Sequence, residues 1–161
     1  MTPSQLTLLR NEIQTDPSAV GYAAFLPSSP GQVCIEINAI GTSKCLQDRF
    51  VTARTILNEC VSGGIILDVL EKASIGLVTA PMTLELQTTI KWAMKFLAQD
   101  SGINVGISAT QGLIDACVAV GVLTVSQGTS LKTLGMLPCS RAQMLDLGTI
   151  SESDLYAAGV I

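Results

Sequence analysis

At 161 residues the chain suits one domain, or a main body with a small end piece, and can bury a sizeable core. Charged residues are 14% of it and apolar residues 48%, against about 25% charged in ordinary soluble domains, so part of the surface is expected to be covered by another chain. The net charge of −4 with nine scattered basic residues argues against nucleic acid as a partner, and the lack of histidine excludes Ser–His and Cys–His nucleophiles and histidine metal sites.

The chain is punctuated by a recurring helix-start signal, Ser or Thr followed three residues later by Gln, Glu or Asp. The hydroxyl accepts from an N–H of the first turn, and the later side chain reaches back to the N–H of the capping residue. The signal occurs at Thr2/Gln5, Ser29/Gln32, Ser108/Gln111, Thr124/Gln127, Ser140/Gln143 and Ser151/Asp154. Pro3 and Pro30 stand at the first helical position, where a missing N–H costs nothing.

The first predicted helix carries the stripe Leu6, Leu9, Ile13 and ends at Asp16–Pro17, because the residue before proline disfavours α geometry. A short second helix presents Val33 and Ile37. The segment from Lys44 to Cys60 places Phe50, Ala53, Leu57 and Cys60 on one helical face. Ser62–Gly64 interrupts it, and Ile65–Ala73 reads as a nearly all-apolar central helix. The longest helix is predicted from Met82 to Gln99, with Leu86, Ile90, Ala93 and Leu97 on one side and Trp92 and Phe96 on a neighbouring face. Gly121, Gly135 and Gly148 each follow an apolar run and suit the left-handed residue after a helix. Residues 121–127 and 148–154 share one design: helix stop, apolar plug, new capped helix. Only residues 32–38 alternate with period two, and there the capping signal favours helix, so no strand is predicted.

The apolar excess does not predict a membrane span. Ile65–Leu70 and Leu113–Leu123 are short and interrupted by Asp68 and Asp115, whereas a span needs about 20 apolar residues. Thr2, Pro3, Ser4 and Gln5 do not read as a signal peptide, so the cytoplasm of the producing cell is the expected compartment. Cys34, Cys45, Cys60, Cys117 and Cys139 form no CxxC pair. They are expected as small buried hydrophobes, with a crosslink between subunits as the sharper alternative.

The remaining candidates for chemistry are thin. Asp68 and Glu71 could pair on a helix face, but three-residue spacing is also the commonest arrangement of solvated charges. Gly63–Gly64 opens a helix without any phosphate-binding motif around it, which reads as a close helix crossing or a loop. Arg49, Arg54, Lys91 and Lys95 lie on the two segments that carry the aromatics. They read either as a solvated face or as an interface, and for the latter Arg49, Phe50, Arg54, Trp92, Lys95 and Phe96 are the candidate interaction residues, since Arg and Trp are common interface anchors.

Several stretches resemble a family of small helical proteins encoded among the virion and tail genes of tailed bacteriophages. Leu6 to Pro17, with Gly21-Tyr22-Ala23 after it, is similar to the family's opening pattern L-x-x-E-I-x-x-D-P-L-G-x-G-Y-A. Pro30–Asn38 is similar to its second helix. Arg49–Leu57 resembles the central helix, and Lys91–Leu97 with Gly102–Gly106 resembles the segment after it. Ser140-Arg141-Ala142, Leu147-Gly148 and Ser153-Asp154-Leu155 resemble the closing motif. The likeness touches nearly the whole length, and Ser18-Ala19-Val20 departs from the usual Leu-Gly turn.

The expected fold is all-α, a compact bundle of seven or eight helices with capped corners in the C-terminal third. It is read as a single helical domain in which residues 1–43 form a more peripheral N-terminal arm, 44–135 the main bundle and 136–161 short C-terminal helices. The resemblance implies a non-enzymatic structural protein of a tailed-phage virion, in the tail or head-to-tail region. Its partners would be other phage structural proteins and copies of itself, and no cofactor, metal, membrane, nucleic acid or small-molecule substrate is expected. The alternatives are a capsid decoration or cementing protein, and a tail-assembly chaperone absent from the mature virion. A carboxylate-dependent hydrolase is the remaining reading from another class.

Overall fold

A computed structural model describes all residues 1–161, and it is mostly helical, with nine α-helices and four short strands. The chain divides into two compact units. Unit 1 combines Met1–Cys45 with Pro138–Ile161, and unit 2 is the continuous stretch Leu46–Leu137.

Unit 1 contains α1 (Pro3–Thr15), a 3-10 turn at Tyr22–Ala24, α2 (Pro30–Asn38), α8 (Arg141–Met144) and α9 (Glu152–Ala158). Helix α1 packs on α9, and α2 packs on α8 and α9. Their shared core is Leu9, Ile13, Tyr22, Val33, Ile37, Ala142, Leu147, Ile150, Leu155 and Ala158. The N-terminal segment is therefore half of a core and not a peripheral arm. Leu9 and Ile13 of α1 are 0% and 3% exposed because residues 142–158 cover them. Asn38 ties the halves together by donating to the Ile150 carbonyl at 2.7 Å and accepting from its N–H at 2.9 Å.

Unit 2 contains β2 (Phe50–Val51), α3 (Ala53–Glu59), α4 (Gly63–Ser74), α5 (Leu84–Leu97), β3 (Ile103–Asn104), α6 (Ser108–Ala119) and α7 (Val125–Thr133). Helix α4 packs against α3 and α5, and α6 against α7, around Ile56, Ile66, Leu70, Ile90, Ile114 and Leu131. Strand β1 (Ser43–Leu46) pairs with β4 (Met136–Cys139), and the division between the units falls within these two strands. Strand β2 pairs antiparallel with β3, with Phe50 opposite Asn104 and Val51 opposite Ile103.

These strands correct the expected helix from Lys44 to Cys60. Only Ala53–Glu59 is helical, and Arg49 and Phe50 lie on extended chain before it. The reason is local. Thr52 caps α3 through a reciprocal box with Thr55, so the helix starts there. Upstream, the Asn104 side chain accepts from the Arg49 N–H at 3.1 Å, and Arg49 O accepts from the Val105 N–H at 2.9 Å.

Of the six start signals, Thr2/Gln5, Thr124/Gln127 and Ser140/Gln143 form full capping boxes. At Ser151 the Asp154 carboxylate accepts from the Ser151 N–H and hydroxyl. Two signals are spent otherwise. Ser29 caps α2 with no side-chain bond, and Ser108 is already inside α6 behind Ile107, while Gln111 donates to the Val105 carbonyl at 2.6 Å.

The stop–plug–start design forms in full at residues 121–127; at 148–154 the plug and the cap form, but helix α8 has already stopped at Met144, with Asp146 (φ +54°) as its left-handed residue. Gly121 (φ +79°) is followed by buried Val122 and Leu123 and then the Thr124 cap. Gly148 (φ +71°) is followed by buried Ile150 and the Ser151 cap.

Candidate functional site

The six candidate interaction residues all belong to unit 2, and they separate into two groups. Trp92, Lys95 and Phe96 lie together on α5. Its first turn is fixed by the Thr83 hydroxyl, which accepts from the Leu86 N–H at 3.2 Å, and Glu85 and Lys95 match the helix dipole at opposite ends. Ile90 and Leu97 turn into the core, which leaves Trp92 (54% exposed) and Phe96 (46%) on the outer side. The Lys95 ammonium lies 4.2 Å from the centre of the Trp92 ring, a cation–π contact worth about 0.5–1 kcal/mol at such an exposed site.

Arg49, Phe50 and Arg54 lie on β2 and α3 or just before them. Arg49 is committed internally: one terminal nitrogen reaches both Glu59 oxygens at 2.6 and 2.7 Å, and the other donates to the Leu134 carbonyl at 3.0 Å. It fastens the end of α7 to α3 and is not an open anchor. Phe50 and Arg54 are exposed, the phenyl ring by 67%.

A third apolar group escaped the sequence reading. Leu57, Val61 and Ile65 are all more than half exposed around the α3–α4 corner, although Leu57 was assigned to the inner face of a long helix. A side chain at Gly63 would run into the Ile56 carbonyl, so α3 and α4 cross as closely as a glycine allows. That crossing turns Ile56 and Ile66 inward and Leu57 and Ile65 outward.

The carboxylate candidates form no catalytic pair. Asp68 pairs with Lys72 at 2.7 Å, and Glu71 is exposed. Asp115 pairs with Lys132 at 2.8 Å across α6 and α7, beside a shallow surface groove that also includes Gln111 and Thr129. No three His, Cys, Asp or Glu side chains converge as metal ligands. The cavity in the unit 2 core is about 50 Å³ and lined almost wholly by aliphatic and sulfur-bearing side chains such as Leu70, Ile90, Met94 and Cys117. That is far below the roughly 300 Å³ at which small-molecule pockets begin.

In unit 1 the buried polar centre is a salt bridge. The Arg141 guanidinium donates to both Glu12 oxygens, at 2.7 and 2.8 Å, with the two side chains 14% and 3% exposed. The hydrogen bond to Glu12 holds Arg141 still more firmly protonated than usual. Beside it the Tyr22 phenol is fully buried and makes no hydrogen bond to protein. Burial, reinforced by the charges of Glu12 and Asp16, pushes its pKa up to about 12. This centre joins α1 to α8.

Comparison with protein-family models, curated proteins and solved structures finds no match to this chain.

Proposed function

We propose that the chain is a non-enzymatic structural protein of a tailed-bacteriophage virion, placed in the tail or head-to-tail region and working through protein–protein contacts in a symmetric assembly. The observation that carries this reading is the apolar surface of unit 2. Trp92 and Phe96 on α5, and Leu57, Val61 and Ile65 at the α3–α4 corner, stand exposed on a chain only 14% charged. Large aromatics that are already ordered on a rigid helix lose little freedom on contact, which is why Trp and Tyr dominate interface energetics. The resemblance in the opening, central and closing motifs supplies the virion context.

Quantitative mass spectrometry of gradient-purified particles tests the proposal, with a fixed copy number per particle as the expected result. Presence in infected cells but absence from particles would overturn it in favour of an assembly chaperone. Localisation on the capsid lattice by cryo-EM would make the chain a decoration protein instead. Trp92→Ala is expected to lower incorporation at least several-fold while leaving the thermal midpoint of the isolated chain nearly unchanged, since the ring is half exposed.

A further inference from the structure

The β1–β4 pair brings together two cysteines that are distant in sequence. The Gly41 N–H donates to the Cys139 carbonyl at 3.1 Å and the Gln47 N–H donates to the Gly135 carbonyl at 3.0 Å, so the two segments run antiparallel. Along β1 the side chains alternate outward and inward, with Cys45 turned in between exposed Lys44 and Leu46. Cys139, on β4, is completely buried. The Cys45 and Cys139 side chains share a hydrogen bond, and neither cysteine is in a disulfide. Both belong to unit 1, at the points where the chain leaves that unit and returns to it.

We propose that Cys45 and Cys139 are a redox modification site, closing into an intrachain disulfide when the protein meets a low-molecular-weight disulfide oxidant. This replaces the intersubunit crosslink as the meaning of at least two of the five cysteines. It applies to the isolated chain, whichever assembly that chain joins.

The two thiols have different roles in the exchange. Cys45 is partly exposed, so its sulfur is the one the oxidant reaches, giving its proton to solvent as it reacts. It attacks one sulfur of RSSR, the S–S bond breaks, and RS⁻ leaves, with a mixed disulfide on Cys45. The Cys139 thiol is kept protonated by burial and by its hydrogen bond to Cys45, with a pKa of about 11, so it acts second. It gives its proton to solvent, attacks the Cys45 sulfur and expels the second RS⁻. Two thiols have then lost two electrons and two protons, and RSSR has become two RSH. The new bond ties the outgoing strand to the returning one.

The full chain, purified under dithiothreitol and transferred into oxidised glutathione, provides the test. The expected product is monomeric on a non-reducing gel, two hydrogens lighter, and gives a tryptic peptide pair linking Cys45 to Cys139. Its thermal midpoint rises on oxidation and falls back on reduction. Cys45→Ser and Cys139→Ser should each abolish the linked peptide and the rise, and Cys139→Ser should retain glutathione on Cys45. The proposal is overturned if the linkage joins two chains or uses Cys34, Cys60 or Cys117. It is equally overturned if wild-type Cys45 ends as a stable glutathione adduct with Cys139 still open to alkylation after unfolding. Because the linkage is read on the wild-type chain, a poorly folding variant does not block the decision.

Discussion

The Glu12–Arg141 pair is the residue-level feature on which unit 1 depends most. Two charges held out of water are tolerated only together, and removing one strands the other. Arg141→Met keeps most of the side-chain volume but leaves the Glu12 carboxylate buried without its partner. Chemical denaturation should show a loss of about 3–5 kcal/mol. Tyr22 offers the opposite case. Its hydroxyl is buried without a protein partner, so Tyr22→Phe should be neutral or slightly stabilising at pH 7. The same substitution has a pH signature. A phenol with a pKa near 10 in the unfolded chain and about 12 in the folded one contributes its stability fully below pH 10 and loses it as pH rises towards 12. Thermal melts between pH 9 and 12 should therefore fall more steeply for the wild type than for Tyr22→Phe, and parallel curves would refute the assignment.

At the scale of elements, the decisive contact is the α3–α4 crossing at Gly63. Gly63→Ala places a methyl group against the Ile56 carbonyl, which is backbone and cannot rotate away. Forcing the helices apart should cost about 1–3 kcal/mol or more, measured as a shift in denaturation midpoint with helical content retained. The helix starts give a paired prediction. Thr124→Ala removes a working cap and should cost about 0.5–2 kcal/mol, while Ser108→Ala, inside α6, should change little. That contrast marks where sequence was sufficient. A capping signal is read reliably when its two residues have no stronger partner, as at Thr2/Gln5 and Thr124/Gln127. It fails at Ser108/Gln111, where the helix starts one residue early, with Ile107 at the cap and Ser108 already inside it. The helical class, the α5 face and the stop–plug–start corner at Gly121 were legible because they depend on neighbours within a few residues. The four strands were not, because two to four residues carry no period, and their partners lie far along the chain. The interaction candidates divide in the same way. Trp92 and Phe96 could be placed from helical spacing alone, whereas the internal bonding of Arg49 required knowing where Glu59 and Leu134 lie.

For the molecule as a whole, unit 2 is one uninterrupted stretch whose ends lie side by side, with the Gln47 N–H on the Gly135 carbonyl and the Gln47 amide reaching the Leu137 carbonyl at 3.5 Å. It has its own core, so residues 46–137 expressed alone should give a helical circular dichroism spectrum and a cooperative melt; a non-cooperative, dye-binding product would contradict this. Unit 1 cannot be cut out in the same way, because its two segments are separated by all of unit 2. This has a consequence for the order in which the protein is made on the ribosome. The apolar stripe of α1 and α2 leaves the exit tunnel long before Ala142, Leu147, Ile150 and Leu155, the side chains that cover it. Unit 2 can finish folding in that interval while the first 45 residues wait with Leu9, Val33 and Ile37 unburied. A nascent chain stalled before residue 138 thus carries a finished insert beside an open half-core, which is a ready substrate for chaperones and proteases. The N-terminal segment becomes secure only when residues 138–161 have emerged.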